Sequence, residues 1–199
     1  IKQQITLNEA ISIEGFKNKY GVEVGRSVKI SLDDANEQFD VRRRAAFAPA
    51  CGSDARMGGS VLPVATVCGS GNQGMTASLP ILEYAKDMGL DILDEKVIKA
   101  VCLSDLVAIR IKHGVGRLSP LCGVTIASMG AACGILYLKD TPLEIIKDTI
   151  TNNISNNMGV ICDGAKSSCA MKIHSAVESA LIISYAQFKA LSSRSFNSG

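Results

Sequence analysis

From Ser119 to Leu138 the chain runs for 20 residues without one charged side chain. A stretch like this has to lie either in lipid or at the centre of a protein, and about 20 apolar residues are enough to cross a bilayer. Its apolar density is modest, however, because Gly123, Gly130 and Gly134 alternate with Ser119, Thr125 and Ser128. The spacing Gly130-x-x-x-Gly134 can pair helices in a membrane. Small residues also let helices approach closely inside a soluble bundle, and no second apolar span accompanies this one. The expectation is therefore a buried central helix, opened by Ser119 as N-cap and Pro120 in the first turn.

The rest of the chain fits around such a helix. Hydrophobic residues make up 47% of the sequence but aromatics only 5%, with no Trp, so a core must be built from Ala, Ile, Leu, Val and Met. A chain of 199 residues is long enough for one domain with a substantial core. Val22, Val24, Val28 and Ile30 alternate, which reads as a short strand or an extended connection. A helix is expected over 32–50, capped by Ser31 with Asp33 and Asp34 in its first turn. Residues 51–74 are rich in Gly and Ser and read as loop.

Further helices are expected from Gly74 to Met88, ending at Gly89, and from Asp94 to His113, stopping at Gly114. Thr141-Pro142 opens another that reaches about Asn156, and a last one runs from about Ser167 through Ile183 toward Ser193. The fold class is all-α, mainly helical, with glycine-rich functional loops and at most a few short strands.

Composition narrows the function. The net charge of +2 implies no nucleic-acid or membrane-surface partner, and Arg42-Arg43-Arg44 reads as a solvated helix face. Seven cysteines without a signal peptide fit a reducing, cytoplasmic setting better than a disulfide scaffold. The chain lacks an initiator Met and a clear signal at either end, so it is expected to be one helical domain, 1–199, cut from a longer protein.

Cys162 and Cys169 stand seven residues apart in the stretch Met158–Cys169, with Gly159, Gly164 and Lys166 around them. On a continuous helix their thiols would lie roughly 10 Å apart. The glycines favour a folded-back loop that could bring them together. Cys122, placed at about N3 of the central helix where unpaired N–H groups favour a thiolate, is the third thiol to recruit for an iron–sulfur site. Cys133 lies roughly 16 Å further along that helix and reads as core. Cys68 and Cys102 read as buried small hydrophobes. On spacing alone, three unrelated core cysteines remain an alternative. Zinc is another, although neither His113 nor His174 has ligand-like spacing to the thiols.

Five blocks, in this order, carry a resemblance. They are Asp54-Ala55-Arg56-Met57-Gly58-Gly59; Gly69-Ser70-Gly71-Asn72-Gln73-Gly74; Leu121-Cys122-Gly123 through Met129-Gly130-Ala131-Ala132; Ile161-Cys162-Asp163-Gly164-Ala165-Lys166; and Ser168-Cys169-Ala170-Met171-Lys172. Together they resemble the L-cysteine desulfidase family, which is related to the α chain of iron–sulfur L-serine dehydratases. The likeness spans about residues 45–190, as the C-terminal part of a catalytic domain. It implies a 4Fe–4S cluster held by Cys122, Cys162 and Cys169 and β-elimination from a small amino acid. The products from L-cysteine would be pyruvate, ammonia and sulfide. Deamination of L-serine is the alternative substrate reading.

Members of that family carry a Gly-Cys-Thr-Glu-Pro-type segment in a preceding N-terminal region, whose cysteine is a candidate base. Residues 1–50 hold nothing similar. The resemblance thus implies that the base belongs to a missing N-terminal part of the same protein, which becomes a partner of this chain. A C-terminal continuation is also missing, and homo-oligomerisation is left open. With the resemblance, the loop Gly69, Ser70, Gly71 and Asn72 reads as the substrate-carboxylate site. Asp54 and Arg56 are expected to pair and hold it, and Lys166 either neutralises the cluster or faces solvent. Two readings from other classes stand beside the lyase. One is a redox module in which Cys133 or Cys51 supplies a fourth ligand; the other is a cluster-free interaction domain.

Overall fold

The computed structural model describes residues 1–34, 39–116, 119–157 and 159–196, with the backbone alone over 32–34 and 187–196. Among these residues it is all-α, as expected, with eight helices and no strand beyond two isolated bridges. The helices are α1 (Lys2–Lys17), α2 (Val24–Asp34), α3 (Val41–Met57), α4 (Gly71–Asp87), α5 (Glu95–Val115), α6 (Gly123–Leu138), α7 (Leu143–Asn157) and α8 (Cys169–Phe196).

The uncharged stretch forms the centre. Helix α6 is buried along nearly its whole length and packs against α4, α5, α7 and α8. Its small residues set the approach distance. A Cβ built on Gly130 would stand 2.4 Å from the Ser104 carbonyl oxygen of α5, and one on Gly134 would stand 2.7 Å from that of Ala100. No helix among the described residues is long and apolar enough to cross a membrane.

The N-terminal third differs from expectation. Residues 2–17 and 24–34 are helices, so the Val22–Ile30 alternation is no strand. Helix α1 is hard to see in sequence because its buried face is partly polar. Gln4 donates to Asp105 Oδ1 at 3.1 Å, Asn8 donates to Ser78 Oγ at 3.2 Å, and Ser12 donates to the Ala48 carbonyl at 2.8 Å. The N-terminus of α2 is capped from another helix. The Asp54 carboxylate of α3 accepts the N–H groups of Val22 and Gly25 at 3.3 and 3.4 Å. Ser31 lies inside α2 rather than capping a helix, and the first turn of the next helix follows Asp40, whose side chain accepts the Arg43 N–H. The side chains of Asp33 and Asp34 lie outside the described residues.

Helix α3 runs through Pro49 to Met57, well into the segment 51–74 read as loop. Its Gly and Ser residues serve packing. A Cβ on Gly52 would meet the Met75 sulfur at 2.7 Å, and Ser53 is fully buried. The connecting loop is only 58–70. Helix α4 therefore starts at Gly71, not Gly74, with Ser70 as N-cap. Helix α5 ends at Gly116 (φ +89), two residues past the expected stop. Helix α6 begins at Gly123, so Ser119-Pro120 lies in the approach to it. Ser119 Oγ accepts the Leu121 N–H at 3.1 Å there. Cys68 and Cys102 also depart from expectation: Cys68 is exposed and Cys102 half-buried.

Candidate functional site

The approach to α6 explains how two of the thiols meet. Residues 120–122 and 160–162 run antiparallel for one bridge between Leu121 and Ile161. The Cys122 N–H donates to the Val160 carbonyl at 2.8 Å, and the Cys162 N–H donates to the Pro120 carbonyl at 2.7 Å. Residues 40 apart in the chain are thereby fixed side by side. The strand-like pairing breaks off at Gly164 (φ +96), where a glycine is needed to fold the chain back toward α8.

Cys169 opens α8. Its sulfur accepts the Lys166 N–H at 3.4 Å and lies 3.7 Å from the Gly164 carbonyl, to which the thiol donates. The thiol is therefore turned toward the loop that carries Cys162. The three thiols are close enough to act on one another electrostatically, Cys162 and Cys169 each working against ionisation of Cys122. Met158, the first residue of the stretch, lies outside the described residues.

Cys122 is the N-cap of α6 rather than N3. It is 5% exposed, and burial pushes its thiol above the ordinary value; the Val124 N–H and the Lys172 ammonium work in the opposite direction. Cys162 is exposed and Cys169 half-buried. Lys172, one turn after Cys169, donates to Asp163 and to the Ile161 carbonyl, the latter at 3.2 Å. Lys166 pairs with the same Asp163 at 3.2 Å. Bonds from Lys172 and then Lys166 hold that carboxyl down at about 2. This clasp ties the thiol-bearing loop to α8 and leaves a cation beside the sulfurs. The i, i+3 spacing from Cys169 to Lys172 is the signal in the sequence that could have found it.

The remaining cysteines stand apart. Cys133 is fully buried, and burial pushes its thiol up to about 12. Cys51 is enclosed within α3, also with its thiol pushed up by burial. Neither is placed to add a fourth ligand. No group of three or more His, Cys, Asp or Glu side chains among the described residues could grip a single metal ion. A cubane presents its irons at separate corners, so its thiolates are more widely spaced. Cys122, Cys162 and Cys169, with Lys172 for charge balance, are the donor types that such a cluster requires.

The glycine-rich loop is divided between two places. Gly69 lines a cleft of about 400 Å³ with Cys68, Lys112 and His113. Ser70 caps α4, accepting the Gln73 N–H at 3.4 Å. Gly71 and Asn72 are buried in the first turn. Asp54 and Arg56 do not pair: Asp54 caps α2, while Arg56 donates to Asn72 Oδ1 at 3.1 Å. Gln73 joins this turn to the thiol region, because a Cβ on Gly123, the neighbour of Cys122, would lie 2.4 Å from the Gln73 amide.

The model of the serine dehydratase alpha chain family matches residues 1–195. The chain belongs to that family. Among curated proteins of this kind, a UPF0597 protein of Lachnoclostridium phytofermentans is 47% identical over 189 residues, covering 95% of this chain and 44% of the relative. One from Fusobacterium nucleatum is 47% identical over 176 residues, 88% of this chain and 41% of the relative. One from Finegoldia magna is 42% identical over all 199 residues, 45% of the relative. The chain thus spans less than half the length of these relatives, whose names state no activity. No solved structure matches significantly. Serine dehydratase alpha chains are generally linked to iron–sulfur enzymes. The family match does not distinguish L-cysteine from L-serine as substrate.

Proposed function

We propose that the chain is the cluster-bearing part of an iron–sulfur lyase that removes a β-substituent from a small amino acid. L-Cysteine is the leading substrate and L-serine the second, favoured by the family's own description. The single observation that carries the reading is the Leu121–Ile161 bridge, which sets the segment of Cys162 alongside Cys122 at the start of α6. Cys122, Cys162 and Cys169 would hold a 4Fe–4S cluster. A cluster held in this way would supply Lewis-acid chemistry toward the substrate.

This chain's residues would do the rest of the binding and none of the proton abstraction. Lys172 and Lys166 offset the negative charge of the thiolates, and Asp163 keeps both lysines in place. The first turn of α4 receives the substrate, with Gly69, Ser70, Gly71 and Asn72 forming or flanking it. Elimination removes the α-proton and hydrosulfide, leaving aminoacrylate, which water converts to pyruvate and ammonia. A base must stand within hydrogen-bond reach of that α-proton. His113 lies in the Cys68 cleft rather than with the three thiols, and His174 lines a separate cleft with Asn156 and Glu178. The base is assigned to the N-terminal part of the whole protein, which docks onto this chain.

The test is anaerobic reconstitution with iron and sulfide, followed by pyruvate release from L-cysteine and L-serine. The 199-residue chain is expected to take up iron and release no pyruvate until the N-terminal segment is supplied. Robust release by the chain alone would place the base within it and contradict this division of labour.

A further inference from the structure

Among the described residues, one of the buried side-chain groups left without a partner belongs to Gln73, which lies against the neighbour of Cys122. The side-chain carbonyl of Gln73 is enclosed, on a residue 7% exposed, and accepts no hydrogen bond. An acceptor left that way costs about as much as a hydrogen bond contributes, so the fold has reason to avoid it. The Gln73 amide lies against Gly123, where any side chain would collide with it. The glycine thus leaves room for the amide beside Cys122.

A second feature lies one residue away. Arg56 donates to Asn72 Oδ1 and lies against Gly71, a Cβ there falling 2.8 Å from its Nε. It makes no ion pair with a carboxylate among the described residues. The N–H groups of Gly71 and Asn72 precede the helical ladder, whereas those of Gln73 and Gly74 are taken by Ser70. The first turn of the 17-residue α4 therefore sets unpaired N–H groups against the Arg56 guanidinium of α3, and two residues on carries the orphaned Gln73 carbonyl. The first two suit a carboxylate. The third needs a hydrogen-bond donor.

We propose that the α4 first turn recognises an α-amino acid as a zwitterion, Arg56 with the turn's N–H groups taking the carboxylate and Gln73 Oε1 accepting from the α-ammonium. This rests on the reading of the chain as part of an amino-acid lyase and adds to it the group that selects amino acids over simple carboxylic acids. A free ammonium meets the orphaned acceptor, and an acid without one leaves it unsatisfied.

The test compares L-alanine, which has no β-leaving group, with propionate, which lacks the ammonium, by NMR titration of the chain before and after iron loading. Wild type is expected to prefer L-alanine by about tenfold or more, the scale of one hydrogen bond to a charged group. Gln73→Leu is expected to bring the ratio close to one, and Arg56→Met to weaken both ligands together. Gln73→Glu, which keeps the shape and adds a charge, is expected to widen the ratio and serves if the leucine variant does not fold. A wild type without preference, or a Gln73→Leu chain that keeps it, overturns the proposal and returns the orphaned carbonyl to an internal water. Iron uptake reads the parent proposal separately: loss of uptake with the ratio intact defeats the cluster, and the reverse defeats this subsite alone.

Discussion

Gly130 shows how much a single residue decides here. Its missing side chain lets the α6 backbone lie against the Ser104 carbonyl, and Ser104 Oγ in turn donates to the Ala77 carbonyl of α4 at 2.8 Å. Gly130→Ala has to push backbone away, not a flexible side chain, so it should cost about 1–3 kcal/mol. Thermal unfolding would register this as a drop of several degrees. Asp105 makes the opposite case. Burial holds its carboxyl above the ordinary value, against the Gln4 hydrogen bond. The folded chain then keeps a proton that the unfolded chain has released, so stability falls as pH rises through that window. Asp105→Asn retains the acceptor for Gln4 without the charge. It should melt higher than wild type at pH 7, with the gain disappearing below about pH 4, where both forms are neutral. A gain that persisted in acid would assign it to something other than charge burial.

Among the elements, legibility followed the local character of each signal. Helices α4, α5 and α7 could be read because caps, apolar spacing and stop signals all lie within the element. Helix α1 hides its buried face behind Gln4, Asn8 and Ser12, whose partners are 36 to 101 residues away. Helix α2 is capped by Asp54 of α3, and Gly52-Ser53 looks like loop until Met75 is seen to pack on it. Cys122 and Cys162 stand in blocks visible in the sequence, but the bridge that joins their segments could not be read there, since it is made of backbone bonds between distant segments. The Asp163–Lys172 clasp belongs at this scale. Lys172→Met should leave global stability within about 1 kcal/mol, because the pair is half-exposed. It should nevertheless weaken iron retention about tenfold, as loss of a residue supporting metal ligands does. Chelator competition on reconstituted protein measures this, and unchanged retention would reduce the clasp to a surface ion pair.

At the scale of the molecule, the helical bundle sets Gln73 at the start of α4 against Gly123 at the start of α6, and holds Cys169 at the start of α8 near enough to act on Cys122. Packing of α6 against both α4 and α8 keeps them in register. Cys133 is fully enclosed, eleven residues into the same helix whose N-cap is Cys122. The central claim is that Cys122, Cys162 and Cys169 form one cluster-binding unit. The measurement that tests it most directly is iron and sulfide content after anaerobic reconstitution of single-alanine variants. Loss of the cluster in Cys122→Ala, Cys162→Ala and Cys169→Ala, with retention in Cys68→Ala, Cys102→Ala and Cys133→Ala, is the expected result. Retention of a full cluster in Cys122→Ala, or its loss in Cys133→Ala as complete as in Cys162→Ala, would contradict the account.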